Sequence, residues 1–327
     1  MDFLVQTGVN WIVAIQSLGG WLEAPMKFFS FLGLENFFFL VLPLIYWSID
    51  AGLGLKVAII LVLSNNLQGI FKLLFADPRP YWISAQVKAF TAEETFGIPS
   101  GHAQSAIALW GIMAAGIHKR WAWIVAFILA FLIGISRLYL GVHFVHDVLA
   151  GWLIGGLLLW AVIVLWDSAA VWLKGRTLGQ QVLIAFVVSL VFLAIGVGSA
   201  VRLDGYSFPE EWKANALRAG PLPDPVSVEG ILTSSGSLFG LAAGAAWIAS
   251  RGGYQASGPI EKRALRYVIG LIGILIFWFG LGQLFPRDES LISYFLRYLR
   301  YSLVGFWIIA GAPGLFFHFK LAEKPNR

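Results

Sequence analysis

Cysteine is absent from the 327 residues, which excludes disulfides and thiolate-ligated metals. The absence names no compartment, since oxidising and reducing environments both tolerate it. Charge is scarce as well: 13% of residues are Asp, Glu, Lys or Arg against 58% hydrophobic, with a mean hydropathy of +0.77. That leaves too little polar surface for a soluble globule of this length and points to a chain that crosses a membrane several times. The formal charge of +5 is small, and no dense Lys/Arg run is present to neutralise nucleic-acid phosphates, so no nucleic-acid partner is expected. The opening residues, MDFLVQTGVN, lack a basic stretch and a small-residue cleavage site, so no removable signal peptide is expected. No internal repeat of fixed period is evident.

Long apolar runs are abundant. A run of about 20 apolar residues spans the hydrocarbon core, and nine candidates follow: 34–49, 52–75, 101–118, 121–139, 145–166, 180–201, 229–249, 266–285 and 296–318. The expected fold is all-α, a polytopic membrane helical bundle of about nine transmembrane helices. Residues 1–33, broken by Gly19-Gly20 and Pro25, read as an interfacial amphipathic segment. Residues 34–201 read as a six-helix catalytic core, and 202–327 as a polar loop followed by three further spans. The fifteen Trp and twenty-six Phe suit interfacial belts and packing between helices.

Three polar segments interrupt this chain: Lys72 to Pro80 (KLLFADPRP), Pro99 to His102 (PSGH) and Ser136 to Asp147 (SRLYLGVHFVHD). Each lies beside an apolar run, and groups that are costly in hydrocarbon collect where a span meets water. Alternation of the spans puts all three at one side of the membrane. The other side takes twelve of the 23 Lys and Arg, mostly in short loops and the tail. The eleven on the near side include Lys72, Arg79 and Arg137 of the motifs themselves. The positive-inside rule then makes the far side cytoplasmic, and an integral cell-membrane protein with an extracytoplasmic site is expected.

His143 and Asp147 are four residues apart, one helical turn, so that the carboxylate can fix the imidazole. An Asp accepting from one ring nitrogen leaves a lone pair on the other and stabilises positive charge on the ring, as a histidine nucleophile requires. A lone His–Asp pair is more often structural, but here Arg137 offers a two-donor fork for phosphate oxygens, and Arg79 and Lys72 add two cations. Ser100, Gly101 and His102 open a span, where free N–H groups and the helix dipole favour an anion. Ser100 can cap that helix or donate to phosphate, and His102 is placed as general acid and then base. The rival reading is a metal site of His143, His146 and Asp147, against which stand the three cations, so no metal and no cofactor are expected. His146 reads as structural, His118 and His318 as ordinary surface residues, and Asn65 and Asn66 as packing groups in the bundle. Asp77 reads as a partner for Arg79 or a loop-setting residue, and the loop carrying Lys88, Glu93 and Glu94 as either a lid or plain solvated chain.

Together the pattern K-x6-RP, PSGH and SR-x5-H-x3-D is similar to that of the type 2 phosphatidic acid phosphatase superfamily. The resemblance implies a metal-independent helical membrane phosphatase with Lys72, Arg79, Ser100, Gly101 and Arg137 as phosphate binders. It also implies His102 as acid/base, His143 as nucleophile and Asp147 as the orienting residue. The nine-span layout, Arg79-Pro80-Tyr81-Trp82, Leu138-Tyr139-Leu140 and Gly236 to Leu241 (GSLFGL) resemble the glucose-6-phosphatase branch, whereas Asp147 agrees better with lipid-phosphate members. The expected activity is hydrolysis of a lipid phosphomonoester or diphosphate through a phosphohistidine, with a lipid phosphate and the bilayer as partners and homo-oligomerisation left open. The alternatives are a glucose-6-phosphatase-like sugar phosphate hydrolase and, from another class, a membrane transporter, whose mark would be helices broken at midplane in paired halves.

Overall fold

The structure, a computed structural model, describes residues 3–323, and among them every regular element is helical. Lys324 and Arg327, which enter the charge count, lie outside the described residues. In chain order the helices are α1 (Phe3–Gln16), α2 (Glu23–Phe31), α3 (Glu35–Leu44), α4 (Ala51–Phe75), α5 (Pro80–Ile83), α6 (Gly101–Ile117), α7 (Arg120–Tyr139) and α8 (Val145–Lys174). They continue with α9 (Leu178–Val201), α10 (Glu210–Ala216), α11 (Glu229–Ser250), α12 (Ile260–Leu275), α13 (Leu281–Leu284), α14 (Leu291–Phe306) and α15 (Ala312–His318).

Among the described residues, seven stretches are long and apolar enough to cross a membrane: Ala51–Ile83, α7, α8, α9, α11, Ile260–Leu284 and Leu291–His318. The expected count of nine is therefore not confirmed, and the two helices that stay out of this set are short ones. The first expected span, 34–49, is only 16 residues long, and the apolar helix there runs through Pro43 and ends in a π turn at Ile45–Ile49, before the extended backbone of Asp50. α6 has 17 residues, about 25 Å at 1.5 Å per residue, and stops where His118 adopts a left-handed backbone with φ 55°, a region open to His at modest cost. In the most apolar window of α8 and of α9 only 22% is buried within the protein, so Leu153, Leu157 and Trp160 of α8 present apolar surface outward. In water such a surface would be prohibitive; in lipid it is the expected solvent contact.

The chain divides into two compact units. The first takes residues up to 37 together with 67–161 and 196–228. Here α1 is tied down by Gln16, whose side chain donates to the carbonyls of Lys88 (2.7 Å) and Tyr139 (2.9 Å). A core of Tyr81, Trp82, Phe96, Tyr139, Val142 and Phe144 underlies the polar loops. α8 meets α6 through Gly151 and Gly155, where an added Cβ would stand 2.5 Å from the Ser100 carbonyl and 2.4 Å from the Gln104 carbonyl. Small residues four apart permit this close backbone approach.

The second unit comprises 38–66, 162–195 and 229 onward. Its α11 packs on α14 by the same device, with Gly236 against the Tyr298 carbonyl and Gly240 against that of Ser302. Asn66, fully buried, donates to the Val62 carbonyl and accepts from Ser235 Oγ at 2.7 Å, so this intramembrane amide serves packing. Arg266 does not act as a loop charge: it is buried and donates to the carbonyls of Ala256 and Ser257 and to the Tyr254 hydroxyl.

Candidate active site

α7 ends at Tyr139, and Gly141 follows with φ +75°, the left-handed turn that glycine takes at a helix C-terminus. A side chain there would also strike the Lys88 carbonyl at 2.5 Å. This turn reverses the chain within five residues and delivers His143 between Arg137, in the last turn of α7, and Asp147, in the first turn of α8.

His143 and Asp147 are both buried, with Nδ1 3.1 Å from Asp147 Oδ2. Oδ2 also accepts the Phe144 N–H at 2.9 Å. On the other side of the ring Nε2 lies 3.3 Å from Arg79 Nη1. A guanidinium only donates, so Nε2 carries the lone pair and Nδ1 carries the proton that bonds Asp147. Burial, followed by the positive charges of Arg79, Arg137 and Lys72, holds the His143 pKa well below that of a free imidazole. The ring is therefore neutral, oriented, and turned toward cations.

Those cations are themselves held. Lys72 Nζ donates to Thr95 Oγ1 at 2.6 Å. Arg79 is fully buried and spends most of its fork on the backbone, donating to the carbonyls of Thr95 (2.6 Å), Val142 (2.9 Å) and Phe96 (3.1 Å). It thus clamps the loop before α6 as well as facing His143. Arg137 donates to Ser30 Oγ at 2.6 Å and forms an ion pair with Glu93.

Ser100 is the N-cap residue of α6, but its side chain makes no capping bond, and its buried Oγ has no partner. The capping-only reading of Ser100 is thereby set aside. Its N–H instead donates to the Asp147 carbonyl at 2.9 Å, which ties the PSGH turn to α8. His102 Nε2 is buried and also lacks a partner. Gly101, His102, Lys72, His143 and Glu93 line one cavity of about 270 Å³ with Gln68, Thr95 and Ser105. All eight residues expected to act on phosphate fall within the first compact unit.

Two features were not legible in the motifs. Glu93 enters the cavity as an anion paired with Arg137 and 3.7 Å from Arg79, its backbone pinned by the Tyr81 hydroxyl, which donates to the Glu93 carbonyl (3.1 Å) and accepts its N–H (3.0 Å). Burial alone would raise its pKa, but Arg137 and Arg79 hold it below the ordinary carboxylate range. A lone acid in a polar loop carries no signal of this placement. Asp77 is the other: it does not pair with Arg79 but places Oδ2 3.2 Å from His146 Nε2, while its carbonyl accepts the Gly97 N–H.

An all-helical membrane protein with a neutral histidine, a buried orienting carboxylate and converging cations is the class that fold and site define together. Comparison with known families agrees: residues 53–172 match the PAP2 superfamily and residues 232–324 the PAP2 superfamily phosphatase, transmembrane extension. Phosphatidylglycerophosphatase B of Bacillus subtilis is 33% identical over 43% of this chain and 74% of its own. Glucose-6-phosphatase catalytic subunit 1 of Haplochromis nubilus is 25% identical over 75% of this chain and 77% of its own. Glucose-6-phosphatase 3 of Bos taurus is 31% identical over 49% of this chain, which spans about half (53%) of that relative's length. The chain belongs to the PAP2 superfamily of membrane phosphatases.

Proposed function

We propose that this chain hydrolyses a lipid phosphomonoester or diphosphate through a phosphohistidine, with the site facing the extracytoplasmic side. The observation that carries this reading is the His143 ring, anchored at Nδ1 by Asp147 with its Nε2 lone pair turned toward guanidinium groups. Substrate phosphate takes the place of the Glu93 carboxylate beside Arg137, with Lys72, Arg79, Ser100 Oγ and the N–H groups at Gly101 as further donors. Nε2 then attacks phosphorus, the bond to the leaving oxygen breaks, and His102, as the imidazolium, donates a proton to that oxygen from Nε2 and becomes neutral. His102 next accepts a proton from water as that water attacks phosphorus, the P–N bond breaks, and inorganic phosphate leaves. Phosphoryl transfer is governed by in-line positioning and neutralisation of the equatorial oxygens, and three cations supply the latter without a metal ion.

The cavity of about 270 Å³ has room for the phosphate end of a lipid whose apolar tail stays in the bilayer. The similarity to a phosphatidylglycerophosphatase supports a lipid substrate. Glucose 6-phosphate is the second reading, favoured by the length of the alignment to a glucose-6-phosphatase. Release of inorganic phosphate in detergent, with chelator, across lipid and sugar phosphates separates the two. His143→Ala abolishes turnover, and Asp147→Asn slows it by about 10²-fold or more, as loss of an orienting carboxylate does in other His–Asp pairs. Turnover retained by His143→Ala would overturn the phosphohistidine; activity lost in chelator and restored by one divalent ion would overturn the metal-free reading.

A further inference from the structure

Behind the nucleophile lies a second cluster, of which the proposed reaction uses only Asp147. His146 Nε2 stands 3.2 Å from Asp77 Oδ2 and 3.2 Å from Asp147 Oδ1. A single ring nitrogen brings one proton or one lone pair, so it cannot satisfy both carboxylates. The mismatch is visible at Asp147: this side chain is fully buried, its Oδ2 takes both available hydrogen bonds, and its Oδ1 accepts none. A buried, unpartnered carboxylate oxygen costs free energy unless something meets it.

The spacing suits a cation. Zinc bonds to nitrogen and oxygen of about 2.0–2.1 Å in a tetrahedron place neighbouring ligand atoms about 3.3–3.4 Å apart. Both separations from Nε2 lie within about 0.2 Å of that edge, and the three ligand residues keep their donor atoms within 4.8 Å of one another. Two carboxylates and a neutral imidazole balance a divalent charge, and that donor set belongs to zinc and its neighbours in the first transition row. The side chains of His146 and Asp77 are 58% and 37% exposed, which provides an entry path and room for water at the fourth position.

We propose that Asp77, His146 and Asp147 form a zinc site whose occupation inhibits the enzyme. The consequence for catalysis, which rests on the function proposed above, runs through one carboxylate. Asp147 orients His143 through Oδ2, and a divalent ion on Oδ1 withdraws the negative charge that would stabilise the imidazolium formed on attack. Asp147 thereby couples an exposed cation site to the nucleophile without the ion touching substrate.

Zinc titration of the full-length, chelator-stripped protein in detergent, followed by calorimetry in phosphate-free buffer, tests binding without reference to turnover. One equivalent is expected for the wild type and for His143→Ala, with affinity reduced by 10-fold or more in both His146→Gln and Asp77→Asn. Absence of stoichiometric binding, or binding unchanged in both variants, would overturn the site. In the phosphate-release assay, zinc should inhibit the wild type while the two variants stay active and lose that sensitivity. Variants inhibited like the wild type would sink the coupling through Asp147.

Discussion

At Glu93 the protein supplies its own anion where a phosphate is expected. The carboxylate pairs with Arg137 and sits near Arg79, and removing one partner of a buried pair leaves an uncompensated charge that costs several kcal/mol. Glu93 is partly open at 24%, so a smaller effect is expected. In Glu93→Gln, inorganic phosphate should inhibit about tenfold more tightly, about 1.4 kcal/mol, as read from its inhibition constant. Unchanged or weaker inhibition would remove Glu93 from competition with the substrate. The depressed pKa of His143 makes a second prediction. Protonation removes the attacking lone pair, and burial with three nearby cations moves that protonation to lower pH. Since kcat/KM reports the free enzyme, its acid limb should lie below the ordinary imidazole value of about 6.5; a limb above it would contradict this account of the site.

Among the helices, α6 and α8 are the pair on which the site depends, because one carries His102 and the other Asp147. Their backbones approach at Gly151 and Gly155, where the obstacle to a side chain is a carbonyl oxygen rather than a flexible chain end. Gly155→Ala must therefore move a helix, and overpacking of this kind costs about 1–3 kcal/mol. A lower melting temperature in detergent together with reduced turnover is expected, whereas Gly156→Ala on the same helix, whose added Cβ would meet only the Ile107 side chain at 4.0 Å, should change little. Equal behaviour of the two variants would argue against the close contact. The i, i+4 glycines of α8 were readable in the sequence. Their target, the carbonyls of Ser100 and Gln104, was not, since helical periodicity gives a face but no partner.

For the molecule as a whole, hydropathy foretold an all-helical membrane chain, and the helices follow the expected segments, although seven rather than nine reach spanning length. Window hydropathy counts apolar residues but does not see a π turn close one helix at Ile45–Ile49 or His118 stop another. With Lys72, Arg79 and Arg137 held at the site, loop charge favours a cytoplasmic C-terminus. A reporter fused after Arg327 should therefore be cytoplasmic; activity of that reporter outside the cytoplasm would invert the proposed topology.

The linear order of residues is enough to establish a membrane-embedded helical chain carrying a histidine with a carboxylate four positions on and an arginine six positions before. Such properties depend on residue type and on local spacing. How each donor is allotted depended on the path of loops between helices. The folded arrangement turned most of Arg79 onto backbone carbonyls, left Ser100 Oγ without a cap to make, brought Glu93 among the guanidinium groups, and set Asp77 and His146 against the spare oxygen of Asp147. Hydrogen bonds and ion pairs act over a few ångströms, so contacts between residues tens of positions apart exist only once the chain has folded.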